Sequence, residues 1–159
     1  MSTIEFSAER LAAVMTGVLE SAAFVFADRA ESPEWPHSEA LCATLVMEHG
    51  ERAVLHVCAA RDFGPLLAAN LLGMEPDSDE ARASSGDAIG ELANMVAGTL
   101  AAELFGRDVI SKIGVPRVLQ EARADHQQHV SAAAWHVSLI TEEGYRLDAS
   151  LSMEEATHP

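Results

Sequence analysis

Leu11, Ala12, Gly17, Leu19 and Phe24 recur as Leu92, Ala93, Gly98, Leu100 and Phe105, each 81 positions further along the chain. Both windows carry apolar residues at helical spacing. In the first these are Leu11, Val14, Met15, Val18 and Leu19; in the second they are Ile89, Leu92, Met95, Val96, Leu100 and Leu104. Each window is followed, at some distance, by a segment that reads as a β-hairpin. A helix with one apolar stripe has to bury that stripe against another element. The repeat therefore predicts one α+β domain over residues 1–159, built from duplicated helix-plus-β-hairpin units at about 7–60 and 84–153. In this fold an antiparallel or mixed sheet packs against two long helices.

The local signals fill in this frame. Ser7 to Phe26 reads as the first helix, and Arg29 to His37, with Pro33 and Pro36, as a loop. Ala40 to Glu48 and Arg52 to Ala60 form a hairpin closed by His49 and Gly50, and Arg61 to Gly73 a short helix. Glu75 to Glu80 reads as an exposed acidic connection. Ser84 to Phe105 is the longest helix, with Ser84 or Ser85 as its cap, Asp87 in the first turn and Gly106 after its end. Val109 to Leu119 contains Ile113-Gly-Val-Pro116 and reads as extended. His129 to Ile140 and Tyr145 to Met153 form the second hairpin, and the residues after Met153 are expected to fray.

Twenty-five acidic residues against ten basic ones leave a formal net charge of −15. That field repels phosphate backbones and anionic lipid, so neither nucleic acid nor membrane insertion is expected. No basic n-region precedes an apolar run, and the expected location is cytoplasmic. The two cysteines, Cys42 and Cys58, lie in the arms of the first hairpin. With a two-residue turn Cys42 faces Val57, and a one-residue shift leaves the thiols diagonal, roughly 7–8 Å apart. Two buried free thiols are expected, as in a reducing compartment.

On the longest helix Asp87, Glu91 and Asn94 stand at i, i+4 and i+7, a line along one face. Asparagine is a poor former of mid-helix structure, and the line is flanked by the small residues Gly90, Ala93, Ala97 and Gly98. Glycine in mid-helix costs about 1 kcal/mol relative to alanine. Close approach of another protein at Gly90 and Gly98 is one explanation, and packing against the chain's own sheet is the other.

The string Gly86-Asp-Ala-Ile-Gly-Glu-Leu-Ala-Asn-Met-Val-Ala-Gly98 resembles the signature helix of the CheC/CheX/FliY family of chemotaxis phosphatases. Ile113-Gly-Val-Pro116 is similar to that family's proline-containing segment after the helix. The resemblance implies hydrolysis of the aspartyl-phosphate on a phosphorylated CheY-like receiver domain. Asn94 would orient the attacking water, and Glu91 would pair with a receiver lysine. Asp87 would be an accessory contact beside Gly90 and Gly98. Phosphoryl transfer needs a placed water more than a strong base, which an amide can supply. The implied Mg²⁺ belongs to the receiver, and the chain is expected to need no cofactor of its own. The first repeat carries Arg10 and Ala13 where the second has Glu91 and Asn94, so one site per chain is expected. That arrangement is similar to CheX rather than CheC and implies a homodimer.

No metal site is expected. His126 and His129 are three apart, and His56 and His136 fall on strands, without a third ligand at recognisable spacing or a CxxC. Trp35 and Trp135 read as packing residues. Two other functions stand beside the phosphatase: a non-catalytic scaffold of the flagellar-switch type, and a small-molecule sensor, which would require a closed apolar pocket.

Overall fold

A computed structural model describes residues 5–154. The first helix, α1 (Ala8–Ala23), begins where the Ser7 hydroxyl accepts the Arg10 amide and ends at Phe24, whose φ is 55°. The helix thus stops three residues before the expected end at Phe26, and the chain turns into a short strand, β1 (Ala27–Arg29), which the sequence did not announce. Leu11, Met15 and Leu19, at helical spacing, are fully buried. Asn70 donates its amide N–H to the Ala23 carbonyl at 2.8 Å, satisfying one of the orphan acceptors at the helix end.

The first hairpin comprises β2 (Glu39–His49) and β3 (Glu51–Ala59). Its turn is tighter than expected: His49 pairs directly with Glu51, leaving only Gly50, at φ 75°, between them. That register places Cys42 opposite Cys58, with Cα atoms 4.2 Å apart, and the two sulfurs are joined as a disulfide. The expectation of two separate free thiols is corrected here. Neither turn length considered for the sequence gives a direct cross-strand pair, and a one-residue loop does.

A 3-10 turn (Arg61–Phe63) leads into α2 (Gly64–Leu72), and Ser78 caps a short α3 (Asp79–Ala83) through the Ala81 amide. The expected acidic loop thus already holds a helix start. The longest helix, α4 (Ser85–Phe105), follows almost without a break. Neither candidate serine caps it through its side chain: Ser84 makes no such bond, and the Ser85 hydroxyl donates to the Ala81 carbonyl. By length and hydropathy α4 alone among the described helices could cross a membrane, but half of that window is buried in the fold.

β4 (Lys112–Ile113) and β5 (Arg117–Ala122) confirm the extended reading around Pro116. Between β5 and β6 lies α5 (Arg123–Ala132), where the sequence had placed the start of a strand. The second hairpin is β6 (Trp135–Thr141) and β7 (Arg146–Glu154). The residues read as a frayed end begin at Glu154, and those beyond it lie outside the described part.

All strand pairs are antiparallel. The sheet order is β1-β6-β7-β3-β2-β4, and β5 also pairs with β2, so the two hairpins meet at β7 and β3. Strand alternation sorts the side chains by face. Leu41, Ala43, Leu45 and Met47 of β2 join Ala53, Leu55 and Val57 of β3 and Leu147, Ala149 and Leu151 of β7 in one core with α1, α2 and α4. The intervening residues, among them Cys42, His56, Cys58, His136 and Asp148, point to the reverse face, which α5 covers.

Candidate functional site

The apolar residues of α4 leave it an outward strip. Ala88, Ile89, Leu92, Ala93, Val96, Ala97 and Leu100 are buried, whereas Asp87, Glu91, Met95, Gly98 and Thr99 are exposed and Asn94 is half-buried. Three residues at 1.5 Å rise separate Glu91 from Asn94 by less than one turn, so carboxylate and amide stand together on this strip. Asp87 lies one turn before Glu91, in the first turn of the helix. Among the described residues the side-chain hydrogen bonds made from α4 are those of Ser85, Thr99 and Glu103. Asp87, Glu91 and Asn94 make none of these bonds. Met95 beside half-buried Asn94 is 36 % exposed.

The two glycines of the line behave differently. Gly90 is buried, and a β-carbon built there would lie 3.4 Å from Val118 Cγ2 and 3.7 Å from Pro116 Cβ. Those are ordinary contacts with the chain's own β5 and the turn before it, the packing alternative that the sequence left open beside a partner's approach. A β-carbon at exposed Gly98 would meet nothing within 4 Å, leaving it open to an approaching surface. The segment that carries Pro116 flanks the strip on one side. Ile110 and Val115 there are 94 % and 90 % exposed, an apolar rim that a partner could cover.

The first repeat has no such strip. Arg10, at the position matching Glu91, places Nε 3.2 Å from Glu103 Oε2 of α4, an ion pair within the chain.

Sequence reasoning missed a second group, on the reverse face of the sheet. The histidines read as scattered converge there, with His56 and His126 buried. His126 on α5 donates Nε2–H to Asp148 Oδ2 at 3.0 Å; His136 Nε2 lies 3.0 Å from the same oxygen, and Arg146 Nε 3.0 Å from Oδ1. Burial pushes the Asp148 carboxyl up, but the hydrogen bonds from His126 and His136 and the Arg146 charge outweigh it and hold the group well below the usual carboxylate range. Burial, reinforced by His129 and His126, pushes His56 down to about 3, so it is neutral. Its Nδ1 lies 2.7 Å from Thr44 Oγ1 and its Nε2 3.2 Å from Glu121 Oε2. Burial also raises the Glu121 carboxyl. The available signal was period two: His56, His136 and Asp148 all occupy strand positions opposite in phase to the apolar core residues. What no spacing disclosed was that α5 lies over them.

An open groove of about 850 Å³ on this face is lined by charged as well as apolar side chains, including Arg52, Arg117, Glu121 and His129. It is not the closed apolar pocket that a small-molecule sensor would require.

The sequence pattern of the family described as chemotaxis phosphatase CheX matches residues 42–139 of this chain. No curated protein sequence matches. Among solved structures, a chemotaxis protein CheX from Desulfovibrio desulfuricans superposes with a TM-score of 0.67 at 16 % identity, covering 92 % of this chain and 98 % of that one. CheX from Vibrio vulnificus gives 0.67 at 15 % identity, covering 97 % of each. The Borrelia burgdorferi structure, a CheX–CheY–BeF₃–Mg²⁺ complex, gives 0.63 at 11 % identity over 92 % of this chain and 97 % of that one. At these identities the superpositions establish the fold.

Proposed function

The chain belongs to the CheX family of chemotaxis phosphatases, and on that premise we propose that it hydrolyses the aspartyl-phosphate of a CheY-like receiver domain through Glu91 and Asn94. The observation that carries this reading is the outward strip of α4. An acid and an amide stand within one turn of each other, hydrogen-bonded to no side chain among the described residues, with a small residue and an apolar residue beside them.

Catalysis then rests on position. Glu91, exposed on a chain of net charge −15, offers a carboxylate to a lysine of the receiver, and that pair fixes the register of approach. Asn94, three residues on, enters beside the phosphoryl group. Its carbonyl oxygen accepts one proton of a water while the water's lone pair points in line with the scissile P–O bond. The amide has no useful basicity, and the dissociative character of phosphoryl transfer makes little demand for it. Phosphate ligation and the Mg²⁺ belong to the receiver. Asp87, one turn earlier, is an accessory contact, and Gly98 allows the partner's backbone to come close. The working form is a cytoplasmic homodimer with one such site per chain. The Borrelia CheX held in complex with CheY, BeF₃ and Mg²⁺ supports the choice of partner class.

The test is a receiver domain from the same genome, phosphorylated with acetyl phosphate, whose loss of phosphate is followed with and without this protein. Decay should accelerate, and Asn94→Ala should abolish the acceleration while leaving binding largely intact. Binding without any acceleration by the wild type would replace the phosphatase with the scaffold reading. An unchanged rate in Asn94→Ala would remove the water-placing role.

A further inference from the structure

We propose that the reverse face of the sheet holds a buried zinc site, formed by Cys42, Cys58, His56 and His126 when the two cysteines are reduced. It is independent of the phosphatase reading, since it lies across the sheet from α4.

The donor atoms are already gathered. One atom each from Cys42, His56, Cys58, Glu121 and His126 lie within 4.8 Å of one another, and all five residues are buried. Tetrahedral zinc with bonds of about 2.0–2.3 Å needs donors roughly 3.3–3.8 Å apart, so small side-chain rotations suffice. Sulfur and imidazole together select zinc over the hard cations.

The second observation is an orphaned atom. His126 is 1 % exposed, and its Nδ1 is buried with no hydrogen-bond partner. Its other nitrogen donates to Asp148 Oδ2 at 3.0 Å, and a carboxylate also held by Arg146 can only accept there. Nδ1 is therefore left as a bare lone pair in the protein interior, a cost that a metal ion would remove. A carboxylate fixing the far nitrogen of an imidazole is the arrangement that orients histidine ligands in zinc sites. His56 is held in the same manner by Thr44 Oγ1, 2.7 Å from Nδ1, and its Nε2 would exchange its 3.2 Å contact with Glu121 Oε2 for the metal.

Charge decides between His56 and Glu121 as fourth ligand. Two thiolates, two neutral imidazoles and Zn²⁺ sum to zero, which suits a site shielded from water. Glu121 as ligand in place of His56 would leave a net negative charge there.

In the structure the two sulfurs are joined, so loading takes two balanced steps. A dithiol reductant gives two electrons and two protons to the Cys42–Cys58 bond and leaves as its own disulfide. Zn²⁺ then displaces the two thiol protons to solvent. The cluster thus has an oxidised metal-free form and a reduced metal-bound form, with α5 fastened to the sheet through His126 in the second.

The full chain, reduced and then freed of reductant and metal, is titrated anaerobically with Co²⁺ alone and then with Zn²⁺ alone. One Co²⁺ per chain should bind, giving thiolate-to-metal charge-transfer absorption and the intense visible bands of tetrahedral cobalt, and one equivalent of Zn²⁺ should erase both. The oxidised protein should bind neither ion. His126→Gln, which preserves bulk, should weaken Zn²⁺ at least 100-fold, and Glu121→Gln should leave the cobalt spectrum unchanged. A reduced wild type with two titratable thiols and no charge-transfer band would overturn the site and leave the cysteine pair a structural disulfide. A change of spectrum in Glu121→Gln with none in His56→Gln would overturn the assignment of the fourth ligand.

Discussion

Arg10 of α1 stands 3.2 Å from Glu103 of α4, at the position where the other half of the sequence repeat carries Glu91. The half without the acid–amide pair has put this position to use in holding the two long helices together. Both side chains are substantially exposed, 43 % and 28 %, and a pair of that kind contributes at most about 1 kcal/mol. Arg10→Ala should lower the denaturant midpoint slightly, by no more than that amount, and leave the dephosphorylation rate of a receiver unchanged. A large loss of activity would mean that α1 also meets the partner.

Glu91 and Asn94 should separate in kinetics. Losing a charge-assisted contact costs about 1.5 kcal/mol, close to tenfold in affinity. Glu91→Ala should therefore raise the receiver concentration needed for half-maximal rate by about that factor. Asn94→Ala should act on the maximal rate. Titrating each variant against phosphorylated receiver separates the two.

Gly98 and Gly90 make opposite predictions. A methyl at Gly98 meets nothing within 4 Å, and alanine is the better helix former by about 1 kcal/mol. Gly98→Ala should raise the melting temperature while slowing dephosphorylation, because the added group stands on the docking strip. Gly90→Leu should fail on stability instead. It would drive into Val118 and Pro116, an overpacking cost of about 1–3 kcal/mol readable by chemical denaturation.

Asp148 holds Arg146, His126 and His136 through its two oxygens. Asp148→Asn keeps the shape but removes the charge, leaving a buried guanidinium uncompensated. The expected loss is about 3–5 kcal/mol. A loss below about 1 kcal/mol would show that water reaches the Arg146 guanidinium.

Much of the site was legible because it is local. Helical spacing put Asp87, Glu91 and Asn94 on one line, and the apolar residues between them fixed which side faced inward. The same periodicity located both long helices to within a few residues. It overran at Phe24, where the chain takes a left-handed turn. It also missed α5, whose ten residues bury only His126 and so carry little apolar stripe. The role of Gly90 was not legible, since a small residue on a helix reads the same whether it meets a partner or its own sheet. Only the path of β5 past α4 shows that Gly90 lies beside Val118 and Pro116.

By itself, then, the sequence determined the repeated helix-and-hairpin plan, the polar line on α4 and the loss of that line from α1. These are patterns of period 3.6 and period 2, which backbone geometry imposes on any chain. The tertiary structure decided the register of the first hairpin, and with it the pairing of Cys42 with Cys58. It also decided that His126, 68 residues beyond Cys58 in the chain, lies within 4.8 Å of that pair. Contacts of such separation follow from how elements stack, and stacking is set by the whole core at once.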